Sequence, residues 1–174
     1  LAALVKRGYE LVGPAVEGAA VVYDSITGIS DLPAGYTDSQ EAGTYRLHRN
    51  GAGALFAHVL SPHSWKRFLH PAEARLFAAV KEEDGGFRIL DNETGRPPYA
   101  FIGVRACELA AIAIEDRVLL GESYSDGIYH ARRQGVFLMA VNCTRAAPTC
   151  FCTSMRTSPP VEAGFDLALT ELDS

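Results

Sequence analysis

The chain has 174 residues, nearly half of them apolar and about a fifth charged, with a formal net charge of -5. That size suits one domain, and the apolar content is enough to offset chain entropy, which excludes intrinsic disorder as the main state. No uninterrupted apolar run approaches the ~20 residues that span a bilayer, and the acidic balance lacks the basic stripe of a general nucleic-acid binder.

Residues 1–8 carry Lys6 and Arg7 after the apolar positions, the reverse of a secretory leader, which predicts a cytoplasmic protein. Residues 9–12 and 19–23, within GYELVGP and GAAVVYD, predict an N-terminal β-hairpin. Residues 27–43 are rich in Gly, Ser, Asp and Thr and predict a long surface loop. Residues 44–48 and 54–59 predict two further strands. Residues 64–69 predict one helical turn, with Ser61 or Ser64 as its cap. Residues 72–80 fit either a short helix or a strand, and residues 87–90 predict a strand after the Asp84-Gly85-Gly86 turn.

The second half is more strongly patterned. Residues 99–104 (YAFIGV) are almost wholly apolar and predict a buried strand. Residues 107–120 predict a helix, with Leu109, Ile112 and Ala113 on its apolar face and Glu108, Glu115 and Asp116 at polar positions. Residues 124–134 predict a second helix, ended by Gly135. Residues 136–141 (VFLMAV) predict a second buried strand, and residues 165–172 a third candidate. Two apolar strands separated by helices predict a crossover and therefore a parallel pair. The expected class is α/β, with α+β as the alternative: a mixed sheet with a parallel pair joined by helices, plus the hairpin.

The four cysteines are Cys107, Cys143, Cys150 and Cys152, the last three spaced C-x6-C-x-C. They are too sparse for a disulfide scaffold. In a reducing compartment, clustered cysteines are metal or redox ligands before they are disulfides. The first apolar strand runs into Arg105-Ala106-Cys107 and the second into Asn142-Cys143. If the strands are parallel neighbours, both thiols emerge at the carboxyl edge of the sheet, where open α/β sheets bind ligands. Cys150 and Cys152 follow closely enough to fold back to the same point. Four converging thiolates suit an iron–sulfur cluster or an all-thiolate zinc site. Structural zinc favours C-x2-4-C pairs, which this chain lacks, and that tilts the reading toward a cluster. Taken singly, a cysteine at a strand end is as often an inert buried residue.

Arg105 is a candidate to stabilise an anionic cluster, and Arg132 and Arg133 either do likewise, dock an acidic partner, or complement a helix C-terminus. His63, Trp65, Lys66, Arg67 and His70 form a basic and aromatic patch that reads as an ordinary amphipathic turn more readily than as a partner surface. His48, His58 and His130 have no metal spacing and read as structural. Asp116 and Asp166 have no paired carboxylate nearby in sequence. The chain contains no P-loop, no G-x-G-x-x-G and no defensible Ser-His-Asp set. No catalytic residue is therefore assigned.

The stretches GYELVGP, DLPAGYTDSQEAGTYRL, SWKRFLHP, GVRACELAAIAIEDRVLL, YHARR, AVNCTRAAPTCFCTSM and GFDLALTEL, in this order, resemble one family. It is the N-terminal region of the sulfhydrogenase β subunit and of the anaerobic sulfite reductase A subunit, which are iron–sulfur electron-transfer subunits. The resemblance implies a non-catalytic electron-transfer domain of a multi-subunit oxidoreductase, holding one [4Fe–4S] cluster. Its ligands would be Cys107, Cys143, Cys150 and Cys152, which match the family's GVRxC and VNC…CFC motifs. The implied partners are a flavin- and NAD(P)-binding reductase subunit and a hydrogenase or sulfite reductase subunit. Family members continue into a ferredoxin-like region with two more clusters. A chain ending at Ser174, before any C-x2-C-x2-C-x3-C run, is expected to be the front part of such a subunit. The family often has Asp where Glu108 stands, and Gly where Arg156 and Ser158 stand.

Overall fold

The computed structural model describes residues 1–51, 53–59, 63–90, 96–157 and 159–172. A short helix, α1 (Ala2–Lys6), leads into strand β1 (Glu10–Glu17), which turns back as β2 (Ala20–Ser25). A 3-10 turn (Ile29–Asp31) precedes a second hairpin, β3 (Tyr36–Glu41) and β4 (Thr44–Arg49). Helix α2 (Lys66–Leu69) and a third hairpin, β5 (Ala78–Lys81) and β6 (Phe87–Leu90), follow. Next come strand β7 (Tyr99–Val104), helix α3 (Ala106–Leu119), a minimal hairpin of β8 (Leu120–Gly121) and β9 (Tyr124–Ser125), and helix α4 (Gly127–Arg133). Strands β10 (Phe137–Val141) and β11 (Leu167–Leu169) complete the order.

The main sheet runs β11-β10-β7-β1-β2. Strands β1, β7, β10 and β11 run parallel to one another, and β2 pairs antiparallel with β1 at the edge. The class is α/β with a mixed sheet, and the two apolar strands are the expected parallel neighbours. Strand β7 is buried along its whole length because cores lie on both faces. Tyr99 and Phe101 join Val12, Trp65, Leu69, Leu109, Ile112 and Tyr129 on one face. Ala100 and Ile102 join Leu4, Leu11, Ile26, Leu32 and Phe56 on the other.

Gly103 interrupts this alternation. It has φ +88, and the register to β10 skips it, pairing Met139 with Ile102 and Ala140 with Val104. The bulge returns Val104 to the face of Phe101 and re-aims the chain just before Arg105 and Cys107. A Cβ at position 103 would meet Phe56 Cε1 at 2.7 Å. Gly103→Ala is therefore expected to cost roughly 1–3 kcal/mol, from the positive φ and the Phe56 contact together. Urea unfolding measures it, and an unchanged midpoint would mean that the bulge relaxes freely.

Several local expectations need correction. The segment 27–43 contains β3, a polar strand that pairs with β4 throughout its length. The segment 54–59 is irregular and forms no strand; its amides are taken by side chains, as described below. Helix α4 begins at Gly127 because Tyr124 and Ser125 pair with Gly121 and Leu120. Asp126 then caps it, its carboxylate accepting the Tyr129 N–H at 2.7 Å. Trp65, not Ser64, takes the N-cap position of α2, although Ser64 Oγ accepts the Lys66 N–H at 3.2 Å; Ser61, the alternative cap, and Ser158 lie outside the described residues. Among the described residues no helix is long and apolar enough to cross a membrane.

Candidate functional site

Strand β7 delivers Arg105 as the N-cap of α3 and Cys107 into its first turn. The backbone N–H of Arg105 donates to Glu108 Oε2 at 2.9 Å, the reach-back half of a capping box. Strand β10, parallel to β7, delivers Asn142 and Cys143 at the same carboxyl edge. Asn142 is tied to the end of β11 by its N–H to Leu169 O (2.9 Å), and by its side-chain amide to Thr170 Oγ1 (2.7 Å). Its Oδ1 accepts the Val161 N–H at 2.8 Å. The loop beyond Cys143 turns through Cys150, whose N–H donates to Ala147 O (2.9 Å) while its Sγ accepts the Ala147 N–H (3.3 Å). Arg156 closes the following turn with φ 55, its N–H on Thr153 O. All four cysteines are free thiols.

Cys107, Cys143, Cys150 and Cys152 line one cavity of about 240 Å³, together with His58 and Arg105. A neighbouring cavity of about 440 Å³ shares Val59, Cys107, Cys150 and Cys152, and is closed by Gln40 and Tyr45 of the β3–β4 hairpin. The hairpin is pinned there. Thr149 Oγ1 donates to Gln40 Oε1 at 2.7 Å, and Arg145 bonds the Asp38 carbonyl.

The wall opposite the cysteine loop is the irregular segment 53–59, which distant side chains hold in place. The Glu171 carboxylate accepts the N–H groups of Leu55 (2.6 Å) and Phe56 (2.9 Å). Buried Asp38 accepts the N–H of Val59 at 2.6 Å. Arg105, only 3% exposed, donates to Phe56 O (2.7 Å), His58 O (3.2 Å) and Asn142 O (3.1 Å). Its guanidinium also lies 5.8 Å from the Phe56 ring centre. The candidate anion-stabilising arginine thus borders the cavity and ties both of its walls together.

Burial pushes the Cys107 thiol up to about 12, reinforced by Glu108, Cys143 and Cys152. Burial also raises Cys143, with Arg105 opposing it. Such thiols bind a metal only by giving up their protons. His58 is buried, and its ring is pushed down to about 3 by desolvation first and then by Arg105 and Arg145. Its Nδ1 is buried with no hydrogen-bond partner among the described residues.

The remaining candidates are engaged elsewhere. Arg133 Nε bonds Asp116 at 3.0 Å, the carboxylate that also accepts the Tyr129 hydroxyl at 2.7 Å. Arg132 donates to Phe68 O. Asp166 pairs through both its N–H and its carboxylate with Leu138 at the sheet edge. Trp65 is buried in the core, so the basic and aromatic stretch is not one exposed patch.

Four cysteines line the smaller cavity, and thiolates are the ligands that an iron–sulfur group takes. Among the described residues no group of three or more His, Cys, Asp or Glu side chains is set to hold one metal ion. Compared with known proteins, the chain matches no family model, no curated protein and no solved structure.

Proposed function

We propose that this chain is an electron-transfer domain that holds one [4Fe–4S] cluster through Cys107, Cys143, Cys150 and Cys152. It would serve a cytoplasmic multi-subunit oxidoreductase of the hydrogenase or sulfite reductase type, beside a flavin- and NAD(P)-binding subunit. The observation that carries this reading is that all four cysteines line one cavity, with Cys107 and Cys143 at the carboxyl edge of parallel strands β7 and β10. Structural zinc favours C-x2-4-C pairs, which this chain lacks.

When bound, a cluster supplies a one-electron couple at nearly constant geometry. The chain's own contribution is shelter and charge. Arg105 brings a buried positive charge to the cavity, which favours thiolate over thiol at Cys143. The Ala147 N–H already points at Cys150 Sγ, the kind of backbone bond that steadies charge on a ligating sulfur. Exposed Cys150 and Phe151, beside the β3–β4 hairpin, leave this part of the site accessible to a partner.

Anaerobic purification followed by iron and acid-labile sulfide analysis tests this. About four of each per chain are expected, with a broad visible absorption that Cys143→Ser and Cys152→Ser abolish. Stoichiometric zinc with no iron would replace the reading with a structural zinc module. Serine variants that keep the spectrum would remove the ligand assignment.

A further inference from the structure

We infer that the outer face of the β5–β6 hairpin seats a second copy of this chain. The two hairpins pack face to face and run in opposite directions about a two-fold axis. The inference stands apart from the cysteine site and does not depend on what that site holds.

The strand register fixes which residues share the face. Ala79 stands opposite Ile89 and Lys81 opposite Phe87, so these four lie on one side, and Phe77 joins them by the two-residue alternation of a strand. On the other side Ala78 and Leu90 are half-buried. The outer side is open: Phe77 is 62% exposed, Phe87 69% and Ile89 64%. Neither core cluster includes a residue of the hairpin. Among the described elements, β5 and β6 pack extensively only on each other. A two-stranded hairpin is marginally stable in water unless a further layer covers its apolar face. Large apolar side chains grouped on one exposed face mark an interaction surface.

Area and charge choose the occupant. Phe77, Phe87, Ile89, Ala79 and the Lys81 stem offer roughly 500 Å² per copy, about 1,000 Å² for a pair, which reaches the lower limit for a specific interface. A two-fold axis needs no second surface, because the same patch serves both sides. The turn carries Glu82, Glu83 and Asp84, while Arg75 stands before β5 at the open end of the hairpin. Arg88 pairs with Glu82 at 3.1 Å. Packing in opposite directions separates the two acidic turns and sets each toward the Arg75 end of the other copy. Packing in the same direction would bring the turns together, in a chain whose net charge is already -5. Lys81 is the one charged residue on the face, and its stem can lie along the apolar surface with the ammonium at the rim.

An interface this small makes a weak dimer, which sedimentation velocity on the full chain between ~10 μM and ~1 mM detects as a mass rising toward two copies. Phe87→Asp should weaken association at least about 30-fold, the loss carried by a central aromatic anchor. Arg75→Glu and Glu83→Arg should each weaken it, and the double variant should recover. Because Phe87 is exposed, urea unfolding of dilute Phe87→Asp should match that of the unaltered chain. A chain that stays monomeric at ~1 mM overturns the inference, as does a dimer that Phe87→Asp leaves intact. A double variant that does not recover overturns the opposed arrangement. Should Phe87→Asp not fold, amide NMR of the unaltered chain on dilution decides. Shifts concentrated at residues 77–90 are expected, and shifts centred elsewhere overturn it.

Discussion

Arg105→Ala is expected to destabilise the folded chain by roughly 3–5 kcal/mol, a large share of the ~5–15 kcal/mol that holds a domain together. The guanidinium is almost fully buried and donates to three backbone carbonyls, those of Phe56, His58 and Asn142. Those acceptors come from two segments, residues 56–58 and Asn142, which the guanidinium bridges. Truncation leaves them without a partner, and each unpaired buried group costs about 1–3 kcal/mol, reduced where water enters. Arg105→Lys should recover little, because one ammonium cannot reproduce the planar fork. Urea unfolding with the slope checked for constancy measures the loss. A change below about 1 kcal/mol would mean that the wall at residues 55–59 stands without this side chain, and that Glu171 and Asp38 suffice.

Trp65→Ala should be of similar size, roughly 3–5 kcal/mol, for a different reason. The indole is 1% exposed. It stacks on Tyr23 at 4.0 Å and on Phe101 at 4.6 Å between ring centres. Removal opens a cavity between the edge strand β2 and the central strand β7, which rigid strands cannot collapse to fill. Trp65→Phe keeps most of the stacking and should cost less than half as much. The indole N–H lies beside the Glu108 carboxylate without closing a hydrogen bond, so the loss is one of packing. Thermal unfolding of the two variants separates these contributions. Equal losses in both would point to the indole nitrogen.

The parts of the fold that were legible in the sequence are those whose signal is local. YAFIGV and VFLMAV are continuous apolar runs because both faces of β7 and β10 are covered, and the cysteines follow from where those strands end. Strand β3 was not legible, since YTDSQE is polar and is held by pairing with β4 rather than by a buried face. The segment 54–59 misled in the opposite direction. Its apolar residues resemble a strand, but its amide groups bond Glu171 and Asp38, and no pattern within six residues reports a partner so far along the chain. The burial of His58 is held by the same distant support, which its spacing in the sequence does not report. The start of α4 was legible in principle, through Asp126 as a cap directly before the helix.

The Glu171 clamp also bears on timing. Glu171 stands 116 residues after Leu55, the amide it holds. A ribosome adding ~5–20 residues per second needs on the order of 10 s to cover that distance. Through that interval Cys107, and then Cys143, Cys150 and Cys152, emerge beside a wall that has the bonds from Asp38 and Arg105 but not those from Glu171. Nascent thiols in such a state are open to oxidation and to whichever soft metal arrives first. The wall at residues 55–59 therefore gains its last support only after synthesis has passed β11.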